Sequence, residues 1–127
     1  MTFWRGVFGV AALFNFAVGL PLLLQPANFF TLMEQAVPTD LLFVRVAGAL
    51  IATFGVGYWL AAIDPVANRV AVLLGVIGKP MMPIIMWFYF QAGLVPFNSF
   101  AVSLGDVVFV ALFVYFLLSV PRGSMMR

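Results

Sequence analysis

No cysteine and no histidine occur among the 127 residues, and charged side chains account for only 8% of them. Without cysteine there is no disulfide, no thiolate ligand and no redox thiol. Without histidine the commonest metal ligand, and the usual proton carrier near neutral pH, are both missing. Histidine-ligated haem and binuclear copper or zinc centres are therefore not expected, and no metal ligand or catalytic residue is assigned. The net charge of +2 comes from six basic residues scattered singly. They form no patch, so no nucleic-acid partner is expected.

What the chain has instead is apolar surface. Hydrophobic residues make up 65% and aromatic residues 17%, and the mean hydropathy is +1.18. No water-soluble exterior of ordinary polarity can be built from that composition. At roughly 20 residues per spanning helix, the length suits four crossings and a single domain. Four apolar segments supply them, at about 3–24, 41–63, 66–92 and 97–120. The expected fold is all-α, an integral membrane four-helix bundle over residues 1–127. The opening MTFWRGVFGVAALFNFAVGL has a weak basic region and no small-residue cleavage site before Pro21, and is read as a retained first helix.

The connections carry their own signals. Residues 25–40, QPANFFTLMEQAVPTD, are too polar to span and too aromatic to float free, and are expected to lie in the headgroup layer as a short amphipathic helix. In IDPVANR, Asp64 can cap the third span with Pro65 at its first position. Gly93 supplies a helix stop, and Pro96 or Asn98 a start. Four spans place both termini and the 64–69 loop on one side. Arg5, Arg69, Arg122 and Arg127 lie there, against Glu34, Asp40 and Arg45 opposite, so that side is read as cytoplasmic. Trp4, Tyr58, Trp59, Trp87, Tyr89 and Tyr115 are placed in interfacial belts. Small residues at intervals of three or four, Ala12, Asn15 and Gly19 in the first span and Gly48, Ala52 and Gly55 in the second, read as a packing seam. Phe109, Phe113 and Phe116 read as lipid contacts or core. The stretch VPRGS, 120–124, resembles the core of a thrombin site and bears on no fold argument.

Candidate functional residues are the polar side chains inside the apolar runs. Counting 1.5 Å per residue from each helix end puts Lys79 about 18 Å deep, Asp106 about 12 Å from the opposite face and Asn15 about 16 Å deep. In a hydrocarbon layer about 30 Å thick these depths coincide, with Arg45 about one turn nearer the outer face. An unpaired charge there costs about 2.5–3.5 kcal/mol on insertion scales, so Lys79 and Asp106 are expected to pair. Pro80 cannot donate to the carbonyl of Val76, and Pro83 repeats the defect. The third helix is therefore expected to break or kink at Lys79. Arg45 and Lys79 against one deep Asp106 leave a surplus positive charge, suited to a carboxylate, a phosphate or the carbonyls of a quinone. Glu34 cancels that surplus if the first loop folds over the bundle.

The layout, with RVAGALIATFGVGYWLAAIDP (45–65), GVIGKP (75–80) and SLGDVVF (103–109), resembles the DoxX-like group of small four-helix bacterial membrane proteins. The resemblance implies an inner-membrane accessory subunit, in some members tied to quinone-linked redox complexes. Small multidrug transporters share the length, but where they carry a first-span glutamate this chain has Asn15. The leading expectation is a non-catalytic membrane protein whose polar layer, Asn15, Glu34, Arg45, Lys79 and Asp106 beside the break at Pro80 and Pro83, binds the head group of a quinone or lipid-like molecule. Its expected partners are the bilayer, subunits of a membrane complex, or further copies of the chain. The alternative is an oligomeric proton-coupled transporter with Asp106 as the protonated group. A lipid-modifying enzyme ranks last, because one Asp, one Lys and one Arg make a thin set for acid–base or covalent catalysis.

Overall fold

A nearly unbroken apolar run forms the first helix, α1 (Thr2–Leu24), and the computed structural model describes residues 1–122 in all. Pro21 is tolerated inside α1 because it lies in the last turn, where its own carbonyl still accepts from the Gln25 N–H at 2.8 Å. The remaining helices are α2 (Pro26–Leu32), α3 (Leu42–Ile63), α4 (Arg69–Gly78), α5 (Met81–Gln91) and α6 (Phe97–Ser119). No strand occurs among the described residues. Thr2–Leu24, Leu42–Ile63, Arg69–Gln91 and Phe97–Ser119 are each long and apolar enough to cross a membrane, so the all-helical, membrane-suited architecture is in place. Large apolar side chains such as Leu118, Phe43 and Leu13 point outward, as contact with lipid requires. Residues 123–127, which include Arg127 and the end of the VPRGS stretch, lie outside the described residues.

The third span is two helices. Gly78 closes α4 and Met81 opens α5, with a turn at Lys79 and Pro80. Lys79 nevertheless keeps helical dihedrals (φ −63°, ψ −36°), as does Pro80 (φ −66°, ψ −23°). The bias that proline imposes on its predecessor is thus overridden, and what the prolines remove is hydrogen bonding: the carbonyls of Val76 and Lys79 face residues 80 and 83, which have no N–H. A second departure is at Asp64. Its Oδ1 accepts from the Ala67 N–H at 3.2 Å and so caps a four-residue turn; α4 begins only at Arg69.

Small residues decide how α1 meets α3. A Cβ on Gly48 would lie 2.5 Å from the Leu23 nitrogen and 2.7 Å from the Gly19 carbonyl oxygen, and one on Gly19 would lie 2.6 Å from the Ala52 nitrogen. The two backbones touch there, as small-residue seams allow in lipid. Nearer its start, the same stripe of α1 buries Trp4 and Phe8 against Phe113 and Phe116 of α6, with Phe8 and Phe116 edge to face at 5.0 Å. Phe109, Phe113 and Phe116 are therefore core. Trp4 and Tyr58 are buried as well, so neither belongs to an interfacial belt, whereas Trp59, Trp87, Tyr89 and Tyr115 are exposed. Arg69 joins the start of α4 to the end of α6: its guanidinium donates to the carbonyls of Val120 (2.6 Å) and Leu117 (2.7 Å) and lies over the Phe116 ring. Those carbonyls have no partner inside α6.

Candidate functional site

The face of α6 that holds Phe109, Phe113 and Phe116 continues upward as Asp106, Ser103 and Ser99, all buried. Where the stripe turns polar, the bundle opens into a cavity of about 370 Å³. Its floor is Lys79, Asp106 and Asn15; its walls include Phe14, Val18, Phe54 and Met86; Phe29, Phe30 and Met33 close it at the far end. Phe29 and Phe30 belong to α2, so this seven-residue helix roofs the cavity. The roof is anchored at its start by the fully buried Pro26, and beyond its end Ser99 Oγ donates to the Met33 carbonyl at 3.5 Å, near the limit for a hydrogen bond.

Lys79 Nζ donates to Asp106 Oδ1 at 2.7 Å and to Asn15 Oδ1 at 2.9 Å, with Lys79 only 6% and Asp106 8% exposed. The Asn15 amide is fixed by its other end, where Nδ2 donates to the Ile51 carbonyl of α3 at 3.1 Å. One polar chain thus runs from α3 through α1 to the α4–α5 junction and on to α6. It brings together three residues whose depths agreed by counting. At 2.7 Å the ion pair has the length of a charge-assisted hydrogen bond. The rings of Tyr58, Phe109 and Phe14 surround the ammonium, with centroids 5.1, 5.1 and 5.4 Å from Nζ, within cation–π range. Tyr58 reaches this layer because Gly75 of α4 leaves space: a Cβ there would lie 2.6 Å from the tyrosine hydroxyl.

Arg45 and Glu34 are not brought to the site. Arg45 is exposed and its Nη1 donates to the Leu23 carbonyl at 2.6 Å, at the end of α1. It covers a helix-end carbonyl and does not line the cavity. Glu34 is exposed too, at φ 58° just beyond α2, where its N–H donates to the Thr31 carbonyl and that of Gln35 to the Phe30 carbonyl. This is a Schellman ending with glutamate in the left-handed position that glycine usually takes. The charges that line the cavity are consequently one cation and one anion, and the surplus positive charge expected from Arg45 is absent from it. Pro83 is buried beside the break, while Met82 and Met86 of α5 supply pliable wall.

Four polar lining residues escaped sequence reasoning: Gln35, Tyr58, Ser99 and Ser103. The two serines had a signal. Positions 99, 103, 106, 109, 113 and 116 recur at three or four residues and so share one helix face, polar for half its length and aromatic for the rest. No family model, curated protein or solved structure matches the chain. The DoxX-like resemblance stands on the quoted residues alone.

Proposed function

We propose that the chain is a transmembrane binding protein that holds the head group of a small neutral lipophile, quinone-like or lipid-like, against the Lys79–Asp106–Asn15 floor. The observation that carries this reading is the cavity: about 370 Å³, walled mainly by apolar and aromatic side chains, with Lys79, Asp106 and Asn15 converging at its floor. That is the usual make-up of a small-molecule site. The balanced charge of the lining favours a neutral head, such as a carbonyl or hydroxyl, over a carboxylate or phosphate, which would leave one uncompensated charge in a mainly apolar cavity. A third N–H of Lys79 and Oδ2 of Asp106 have no hydrogen-bond partner among the described residues, so the floor offers both a donor and an acceptor.

A cytoplasmic position for both termini is supported by Arg5, Arg69 and Arg122 at that end against Arg45 at the other. A bacterial inner membrane, and a place as accessory subunit of a quinone-linked complex, follow from the DoxX-like resemblance alone. The test is binding of decylubiquinone and of decanoate to the detergent-purified chain, followed by quenching of its tryptophan and tyrosine fluorescence. Decylubiquinone is expected to bind, and the Lys79→Met/Asp106→Leu double variant to bind it at least about tenfold more weakly, the worth of about 1.4 kcal/mol. Tighter binding of decanoate, or no binding of either, overturns the reading.

A further inference from the structure

We propose that Lys79 captures lipophilic aldehydes in this cavity as an imine, with Asp106 as proton carrier and counter-ion. The inference rests on the binding reading above and gives it a covalent form.

The choice of residue is the first observation. Lys79 is the one lysine in the 127 residues, and every other basic side chain is arginine. For a buried ion pair, arginine is the better cation, since its planar fork pairs with carboxylate bidentately and is less strongly hydrated. What lysine offers and arginine does not is an amine that can give up its proton and attack a carbonyl. The chain has no cysteine or histidine, so Lys79 is the strongest side-chain nucleophile in it. It occurs in a cavity lined mainly by apolar groups.

The second observation is geometric. Nζ reaches a carboxylate oxygen at 2.7 Å, to which a proton can pass directly, and its third N–H meets no acceptor among the described residues. Three aromatic rings stand about the nitrogen at 5.1–5.4 Å, an environment that suits an iminium as well as an ammonium. Ser103, one turn before Asp106, lines the same floor.

The step balances without any further reagent. The ammonium passes one proton to Asp106, and the nitrogen lone pair forms a bond to the aldehyde carbon while the C=O π pair moves to oxygen. Asp106 returns that proton to the oxygen, giving a carbinolamine. Asp106 then takes a second proton from nitrogen and delivers it to the hydroxyl, which leaves as water as the C=N bond forms. The iminium keeps one proton and Asp106 is again a carboxylate. One cation faces one anion before and after, so the cavity loses no charge balance. Apolar walls slow the return of water that would hydrolyse the product.

The experiment treats the full chain in detergent with decanal and sodium cyanoborohydride, which reduces an iminium to a stable secondary amine. In parallel, decanol, which cannot form an imine, is tested for binding by the same fluorescence quenching. One decyl adduct per chain at Lys79, located by peptide mapping, is expected, with labelling there ahead of labelling at the Met1 amine. Lys79→Arg, which keeps a cation beside Asp106, is expected to give no adduct in the cavity. If decanol binds and decanal labels only Met1 or nothing, the imine proposal fails and the binding reading stands. If neither decanol nor decanal associates with the protein, both fail together.

Discussion

The two ends of the bundle are built differently. At the end that holds the chain's start, α1 and α6 interlock through Trp4, Phe8, Phe113 and Phe116, and Arg69 ties α4 to the last carbonyls of α6. At the other end α1 and α6 line a cavity instead, roofed by the seven-residue α2, whose start is buried at Pro26. Between the two lies the Lys79–Asp106–Asn15 layer. The difference separates rigidity from access: close-packed aromatics set helix positions at one end, so the other can tolerate empty space without losing the fold. Along α6 the division is written in one stripe, with serine and aspartate above and phenylalanine below.

The sharpest way to break this arrangement is at the layer itself. Asp106→Leu alone leaves Lys79 buried without a counter-charge and is expected to cost about 3–5 kcal/mol of unfolding free energy. Adding Lys79→Met should restore most of that loss. Detergent unfolding of both single variants and the double variant gives the coupling directly, and simple additivity would show that the two residues do not interact. Next in size is a comparison of the ends. Phe116→Ala, in the packed end, is expected to cost about 3 kcal/mol, whereas Phe30→Ala, in the roof, should cost less than about 1 kcal/mol and act mainly on ligand binding. Equal losses at both positions would mean that the roof is part of the core. The smallest effect is expected at the close of α2. Glu34→Gly should raise stability by about 0.5 kcal/mol, since the left-handed backbone there suits glycine, as it does at Gly93 (φ 75°) beyond α5.

Much of the layout could be read from the sequence because lipid makes depth countable. Each span is apolar and helical over nearly all its length, so position along the chain translates into height, and Asn15, Lys79 and Asp106 fall at one level by arithmetic. Rotation about the helix axis is not given by that count. Arg45 was counted to about one turn above the layer, yet its side chain bonds the Leu23 carbonyl at the end of α1 and does not line the cavity. Tyr58 was taken for a belt residue because it lies near a helix end, but it turns inward over Gly75. The residues that share a face on α6 were legible as a period of three and four that mixes polar and aromatic types. The break at Pro80 was legible as missing donors, whereas the helical dihedrals of Lys79 were not, because the residue before a proline is biased away from them.

Arg69 also bears on the order of assembly. Its two carbonyl partners, Leu117 and Val120, are made about fifty residues after it, as the separations of 48 and 51 positions record. Until they emerge from the ribosome, the guanidinium at the head of α4 has only water or lipid headgroups to bond, and the carbonyls that it will cover do not exist. Helices are inserted in order of synthesis and packed afterwards. Arg69 is therefore a latch that the growing chain cannot close before the fourth span has been made.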